Sequence, residues 1–197
     1  QEIPKHIPDH IQCRTFYWVA PSSRSKDDKE MLSQLYSKTR DPHLTFFVIN
    51  VEAFSTAPAK DEVKKFLWAY KTLMAIDEST SIKTPTAQRT KNILSVGMDA
   101  QYKRIMTGSP VTKSPLDLYT QCNFLDSELL QQDSFVAFRN RYANMQTINV
   151  NGRFVNIVRP HDSYRNLAEL SELVSEFSYR VLKEDCLDLP PKVYQRR

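Results

Sequence analysis

Asp77 and Glu78 follow four consecutive apolar residues, Leu73, Met74, Ala75 and Ile76. Adjacent carboxylates can hold a divalent cation and polarise a water molecule, provided the backbone presents both at one edge. An apolar run without polar alternation suits a strand covered on both faces. Ligands of parallel sheets gather beyond the carboxyl ends of the strands, so the two acids fall where such chemistry is done. Taken alone, an acidic pair is also the ordinary solvated end of an element, and its surroundings have to decide.

Those surroundings alternate. Residues 15–20 (Thr-Phe-Tyr-Trp-Val-Ala) are rich in strand formers and stop at Pro21. Met31, Leu32, Leu35 and Tyr36 recur at helical spacing. Residues 44–51 make a second apolar strand, and 60–69 place Val63, Phe66 and Leu67 on one helical face. The 73–76 strand comes next. Thr84-Pro85 reads as N-cap and first residue of a helix that stops at Gly97. Residues 102–106 form a fourth strand, Thr107-Gly108-Ser109-Pro110 a turn, and Ser114-Pro115 opens another helix bearing Leu116, Tyr119 and Phe124. Strands alternating with helices predict right-handed crossovers, a largely parallel sheet and a three-layer α/β domain.

Beyond Gln131 the texture changes. Residues 135–142 read as a basic helix, and Asn151-Gly152 between two β-rich segments predicts a two-residue hairpin. Leu167, Leu170, Leu173, Val174, Phe177, Val181 and Leu182 predict an amphipathic helix that ends before Pro190-Pro191. This gives a helix–hairpin–helix appendage on a sheet domain.

Composition excludes several classes. Only three glycines occur, Gly97, Gly108 and Gly152, and none supplies the Gly-x-x-x-x-Gly-Lys spacing of a phosphate-cradling loop. His6 and His10 are four apart, but Pro8 breaks the helix that a two-histidine metal site needs. No Gly-x-Ser-x-Gly elbow is present, which argues against a serine hydrolase. The cysteines Cys13, Cys122 and Cys186 are odd in number and lack metal-ligand spacing, so free thiols in a reducing compartment are expected. No apolar run approaches a membrane span, and residues 1–10 have no signal-peptide pattern. A net charge of +4 permits contact with nucleic acid.

Three segments in order carry a resemblance: 77–83 (Asp-Glu-Ser-Thr-Ser-Ile-Lys), 104–111 (Arg-Ile-Met-Thr-Gly-Ser-Pro-Val) and 114–119 (Ser-Pro-Leu-Asp-Leu-Tyr). Together they resemble motifs II and III and the following helix of superfamily-two helicases, in the Swi/Snf-type branch with its bacterial and phage members. The segment 47–54 is similar to that family's motif Ib region, 2–6 to the stretch after motif Ia, and 179–192 to the passage into the second motor lobe. The resemblance implies a RecA-like lobe lacking its P-loop and first strand. Residues 1–131 would be its C-terminal part, 132–185 the appendage, and 186–197 the start of the connection to lobe two.

By that resemblance Asp77 is the Mg²⁺ residue and Glu78 polarises the attacking water, both catalytic in a parent protein that hydrolyses ATP. Thr107, Gly108 and Ser109 would couple the nucleotide site to DNA. The family more often has Ala-His or Ala-Asp where this chain has Ser79-Thr80; a hydroxyl can take over the hydrogen bond. Ser55 and Thr56 match a DNA-backbone region but equally a helix N-cap cluster. Lys83 and Arg89 suit either DNA phosphates or a solvated basic face. Arg139, Arg141, Arg180 and Lys183 make the appendage basic.

The implied function is part of an ATP-dependent DNA translocase or helicase. The cofactors are Mg²⁺ and ATP. The partners are double-stranded or branched DNA and the second lobe in cis, with no membrane. The setting is the cytoplasm, or the nucleus of a eukaryote. On its own the chain would be inactive. The alternative is a non-catalytic DNA-binding or interaction module derived from such a motor.

Overall fold

A computed structural model of the chain describes residues 3–37 and 44–182. Glu2, Lys183, Cys186, Pro190-Pro191 and most of the 179–192 segment lie outside the described residues. The chain divides into two compact units, 1–139 and 140–197.

In the first unit, β1 (Cys13–Tyr17) leads through α1 (Lys26–Gln34) to β2 (Leu44–Val48), which pairs with it in parallel, Phe16 opposite Phe47. Ser25 starts α1 with a reciprocal cap: its hydroxyl accepts the Asp28 N–H at 3.1 Å, and Asp28 accepts the Ser25 N–H at 2.9 Å. A 3-10 turn and α2 (Ala57–Ala69) then lead to β3 (Leu73–Ile76), α3 (Gln88–Gly97) and β4 (Tyr102–Ile105). β3 and β4 are parallel, with Leu73 opposite Tyr102 and Ile76 opposite Ile105. α4 (Leu118–Leu125) follows a 3-10 turn, and α5 (Phe135–Tyr142) crosses the division between the units.

The single mostly parallel sheet expected from the strand pattern is not formed among the described residues. β1–β2 and β3–β4 are separate two-stranded pairs. What joins them is helix α2. Its Phe66 packs with Phe16, Leu32 and Leu35 and stacks on Phe47 at 5.4 Å. Its Val63 and Leu67 enter a second cluster with Ile76, Ile82, Ile93, Val96 and Phe124. Nor is β3 covered on both faces. Ile76 is buried, while Leu73 is 59% exposed and its partner Tyr102 55%. The helices therefore cover one face of the pair, and a three-layer arrangement is not reached here.

Element boundaries shifted where tertiary contacts outweighed local signals. Thr84-Pro85 does not begin α3; residues 84–87 form a turn, with Ala87 N–H on the Thr84 carbonyl at 3.2 Å. The helix starts at Gln88, and Thr90 in its first turn donates to the Ile82 carbonyl. The end at Gly97 stands, and the position itself requires glycine, since a Cβ there would meet the Phe124 ring at 2.8 Å.

In the second unit, β5 (Met145–Val150) and β6 (Arg153–Val158) form the antiparallel hairpin that Asn151-Gly152 predicts. Both turn residues have positive φ, 50° and 79°, as a type I′ turn requires. The last helix, α6 (Leu167–Ser175), is shorter than its apolar pattern suggests. Ser175 donates back to the Glu172 carbonyl at 2.6 Å, and Phe177, Ser178 and Tyr179 are weaker helix formers.

Candidate functional site

Asp77 and Glu78 stand exposed at the carboxyl end of β3. One Asp77 oxygen accepts the Glu78 N–H at 2.9 Å, leaving its other oxygen open. Glu78 has left-handed backbone angles, φ 49° and ψ 56°. A side chain larger than glycine is strained there by about 1–2 kcal/mol, so the surroundings must hold it.

They do so from below. The chain passes from Glu78 into a 3-10 turn, Ser79–Ile82, around which four polar side chains are almost wholly buried: Ser79, Thr90, Thr120 and Gln121. The Ser79 hydroxyl donates to Gln121 Oε1 at 2.7 Å. Gln121 Nε2 donates to the carbonyls of Asp117 at 2.7 Å and Pro110 at 2.8 Å. Thr120 and Thr90 both donate to the Ile82 carbonyl, at 2.7 and 3.3 Å. Every one of these buried polar groups is paired, which is the condition for such a network to fix a single geometry.

The same network ties the acidic pair to the turn after β4. Met106 N–H bonds the Ile76 carbonyl at 2.9 Å, and Ser79 N–H bonds the Met106 carbonyl at 3.0 Å. In that turn Thr107 Oγ1 accepts the Ser109 N–H at 3.2 Å, and the Ser109 hydroxyl donates to the Val111 carbonyl at 2.9 Å. Gly108 lies open. Asp117 organises the far side, accepting N–H groups of Thr112 and Lys113 at 3.1 and 2.9 Å and the Thr112 hydroxyl at 2.8 Å. Burial alone would raise its pKa; these hydrogen bonds outweigh it and hold the carboxyl below the usual carboxylate range.

The remaining predicted residues are placed as follows. Lys83 donates to the Thr112 hydroxyl and lies 3.9 Å from Asp117. Arg89 pairs with Glu52 at 2.9 Å. Each keeps further N–H donors beyond that contact. Ser55 and Thr56 are exposed at the start of α2. Thr56 occupies the N-cap position, yet its hydroxyl donates back to the Ala53 carbonyl at 2.9 Å and caps nothing.

Of the two hydroxyls in Ser79-Thr80, it is Ser79 that makes the link towards the turn, through Gln121. Gln121 and Thr120 sit in the helix Leu118–Leu125, where a further polar residue, Asn123, leaves nothing in the pattern to mark these two as buried.

Among the described residues no group of three or more His, Cys, Asp and Glu side chains could cage a metal. Two hard oxygen donors at one strand end nevertheless suit Mg²⁺, which keeps several waters and is bound through one or two carboxylates together with substrate phosphates. No described helix is long and apolar enough to cross a membrane.

Comparison with known proteins bears on what this arrangement serves. A model of the SNF2-related domain matches residues 5–197. The mouse (Mus musculus) DNA annealing helicase and endonuclease ZRANB3 is 31% identical over 127 residues, covering 63% of this chain. The human (Homo sapiens) protein of the same name is 31% identical over 128 residues. The chain spans 11% of the length of either relative. With the acidic strand end, the neighbouring Thr-Gly-Ser turn and a match over nearly its whole length, the chain belongs to the SNF2-related domain family, the Swi/Snf-type branch of the superfamily-two helicases.

Proposed function

We propose that this chain is the motif II and motif III portion of an ATP-driven DNA translocase or helicase, in a RecA-like first motor lobe. The observation that carries this reading is the buried clamp of Ser79, Thr90, Thr120 and Gln121. It fixes the backbone just after Asp77-Glu78 and bonds it to the Thr107–Val111 turn. A solvated strand end needs no such support. Strained backbone at Glu78, held by the paired side chains of Ser79, Thr90, Thr120 and Gln121, is the pattern of a site whose geometry matters.

In this reading Asp77 would hold Mg²⁺ and Glu78 would polarise the attacking water. Bound Mg²⁺ and ATP supply the phosphoryl chemistry and its charge neutralisation. Thr107, Gly108 and Ser109 pass the state of that site to DNA by their hydroxyl and backbone hydrogen bonds. Ser55, Thr56, Lys83 and Arg89 are DNA-facing candidates, the last two through donors that their present partners leave free. The DNA is double-stranded or branched, and the second lobe completes the cleft in cis. Without a Gly-Lys loop of its own, the 197-residue chain does not hydrolyse ATP.

DNA-stimulated ATPase tests this. In the complete reading frame, Glu78→Gln should lower turnover by about 10²–10⁴-fold, the contribution of a general base. A full-length protein indifferent to Glu78→Gln, or magnesium-dependent turnover by the 197-residue chain, refutes the reading.

A further inference from the structure

The second unit contains an arginine cavity that the motor reading does not use. Arg165 closes the end of α5: its Nε donates to the Arg141 carbonyl at 3.3 Å and its Nη2 to the Asn140 carbonyl at 2.5 Å. Those carbonyls have no partner within the helix, and a cation is favoured beside them. Asn166 Nδ2 adds a bond to the Arg141 carbonyl at 3.0 Å. Backbone bonds from Arg159 N–H to the Asn144 carbonyl (2.8 Å) and from Asn144 N–H to the Ser163 carbonyl (3.0 Å) knit the hairpin base to the same place.

Between them lies a cavity of about 290 Å³, lined by Asn140, Ala143, Asn144, Met145, Arg159 and Arg165. Its only charged lining groups are the two guanidiniums, and no carboxylate is among the lining residues. Glu169 is engaged elsewhere. It accepts Arg141 at 2.5 and 3.1 Å and the Tyr142 hydroxyl at 3.0 Å, and those bonds hold its pKa below the usual range. Arg165 commits two of its five donors to carbonyls, which fixes the group in position and leaves three donors. Arg159 has no ion-pair or side-chain hydrogen-bond partner among the described residues. Two like charges lining one cavity without a counter-charge favour an anion there. Planar guanidinium forks with nearby amide donors match phosphate oxygens in particular.

We infer that this cavity is a phosphate site that grips the backbone of DNA on the second unit. The choice of DNA rests on the reading of the chain as a DNA motor; the anion chemistry stands on the cavity. One exposed arginine at the hairpin's far end, Arg153, serves as a control because it is outside the lining.

The test measures binding of a labelled duplex oligonucleotide to the 197-residue chain by fluorescence anisotropy across a salt series. Arg159→Ala should weaken binding about tenfold at low salt and reduce the salt slope by about one, the signature of one lost phosphate contact. Arg153→Ala should leave both values near those of the parent. Thermal melting of Arg159→Ala should match the parent, because Arg159 caps no element; Arg165→Ala is avoided as the primary variant because Arg165 closes α5.

Equal binding by Arg159→Ala and the parent overturns the site while leaving the motor reading intact. Equal losses in both variants also overturn it, by showing diffuse attraction in place of a site. Inorganic phosphate that stabilises the parent through Arg159 while DNA binding ignores Arg159 overturns the DNA assignment. A parent chain that binds no duplex overturns the site too, and the Glu78→Gln ATPase measurement then judges the motor reading separately.

Discussion

Removing the Ser79 hydroxyl separates the clamp from ordinary core packing. Ser79→Ala leaves Gln121 Oε1 buried without its donor, at a cost of about 1–3 kcal/mol. Gln121→Leu removes three hydrogen bonds at about 1 kcal/mol each, or about 3 kcal/mol in total. Additive effects would put the double variant near 5 kcal/mol. The structure predicts about 3 kcal/mol, because once Gln121 is gone the Ser79 hydroxyl has no partner left to lose. The resulting coupling of about 2 kcal/mol is within the range for residues in direct contact. Urea unfolding followed by the fluorescence of Trp18 and Trp68 gives all four corners of the cycle. In a chain of this size each kcal/mol moves the melting temperature by about 2–4 °C, so calorimetry provides an independent reading. Additivity to within about 0.5 kcal/mol would refute a network centred on Ser79 and Gln121.

Two further outcomes follow from titrating groups. Burial pushes the Cys122 thiol up to about 12, so at pH 8 the reactive thiolate is almost absent; mass spectrometry after alkylation should show Cys122 unmodified until urea unfolds the chain, and rapid native labelling would contradict its placement. Asp117 has a depressed folded pKa, so its contribution to stability is complete above the ordinary carboxylate pKa and fades as pH falls through the folded value. The urea midpoint should drop between pH 5 and pH 2, and Asp117→Asn should flatten that drop; an unchanged slope in the variant would remove Asp117 as a cause.

The acidic pair, its apolar strand, the turn after β4 and the hairpin were all legible because each is a local signal. Leu73–Ile76 needed only its run of apolar residues, and Asn151-Gly152 only its tolerance of positive φ. What could not be read depends on partners distant in sequence. Ser79 and Gln121 are 42 positions apart, and no periodicity announces that a serine after two acids will meet a glutamine in a helix of mixed polarity. The start of α3 is a related case: Thr84-Pro85 is a good local cap, but residues 84–87 fold into a turn and the helix begins at Gln88. The strands of the expected sheet pair in parallel but in two separate pairs among the described residues, because apolar runs report what strands can bury, not which strand lies beside which. Leu73 and Tyr102 show the difference, being apolar and more than half exposed.

Those bare strand faces have a consequence for the chain in solution. Tyr17, Leu44 and Val48 on one pair, and Leu73 and Tyr102 on the other, present apolar surface between 47% and 59% exposed. Among the described residues each of these four strands is hydrogen-bonded along one edge alone, and an open edge beside apolar side chains is a template for another copy of itself. A net charge of +4 spread over 197 residues offers modest repulsion against such contacts. The open edges of β1 to β4 thus give a well-folded sample a route to self-association as its concentration rises.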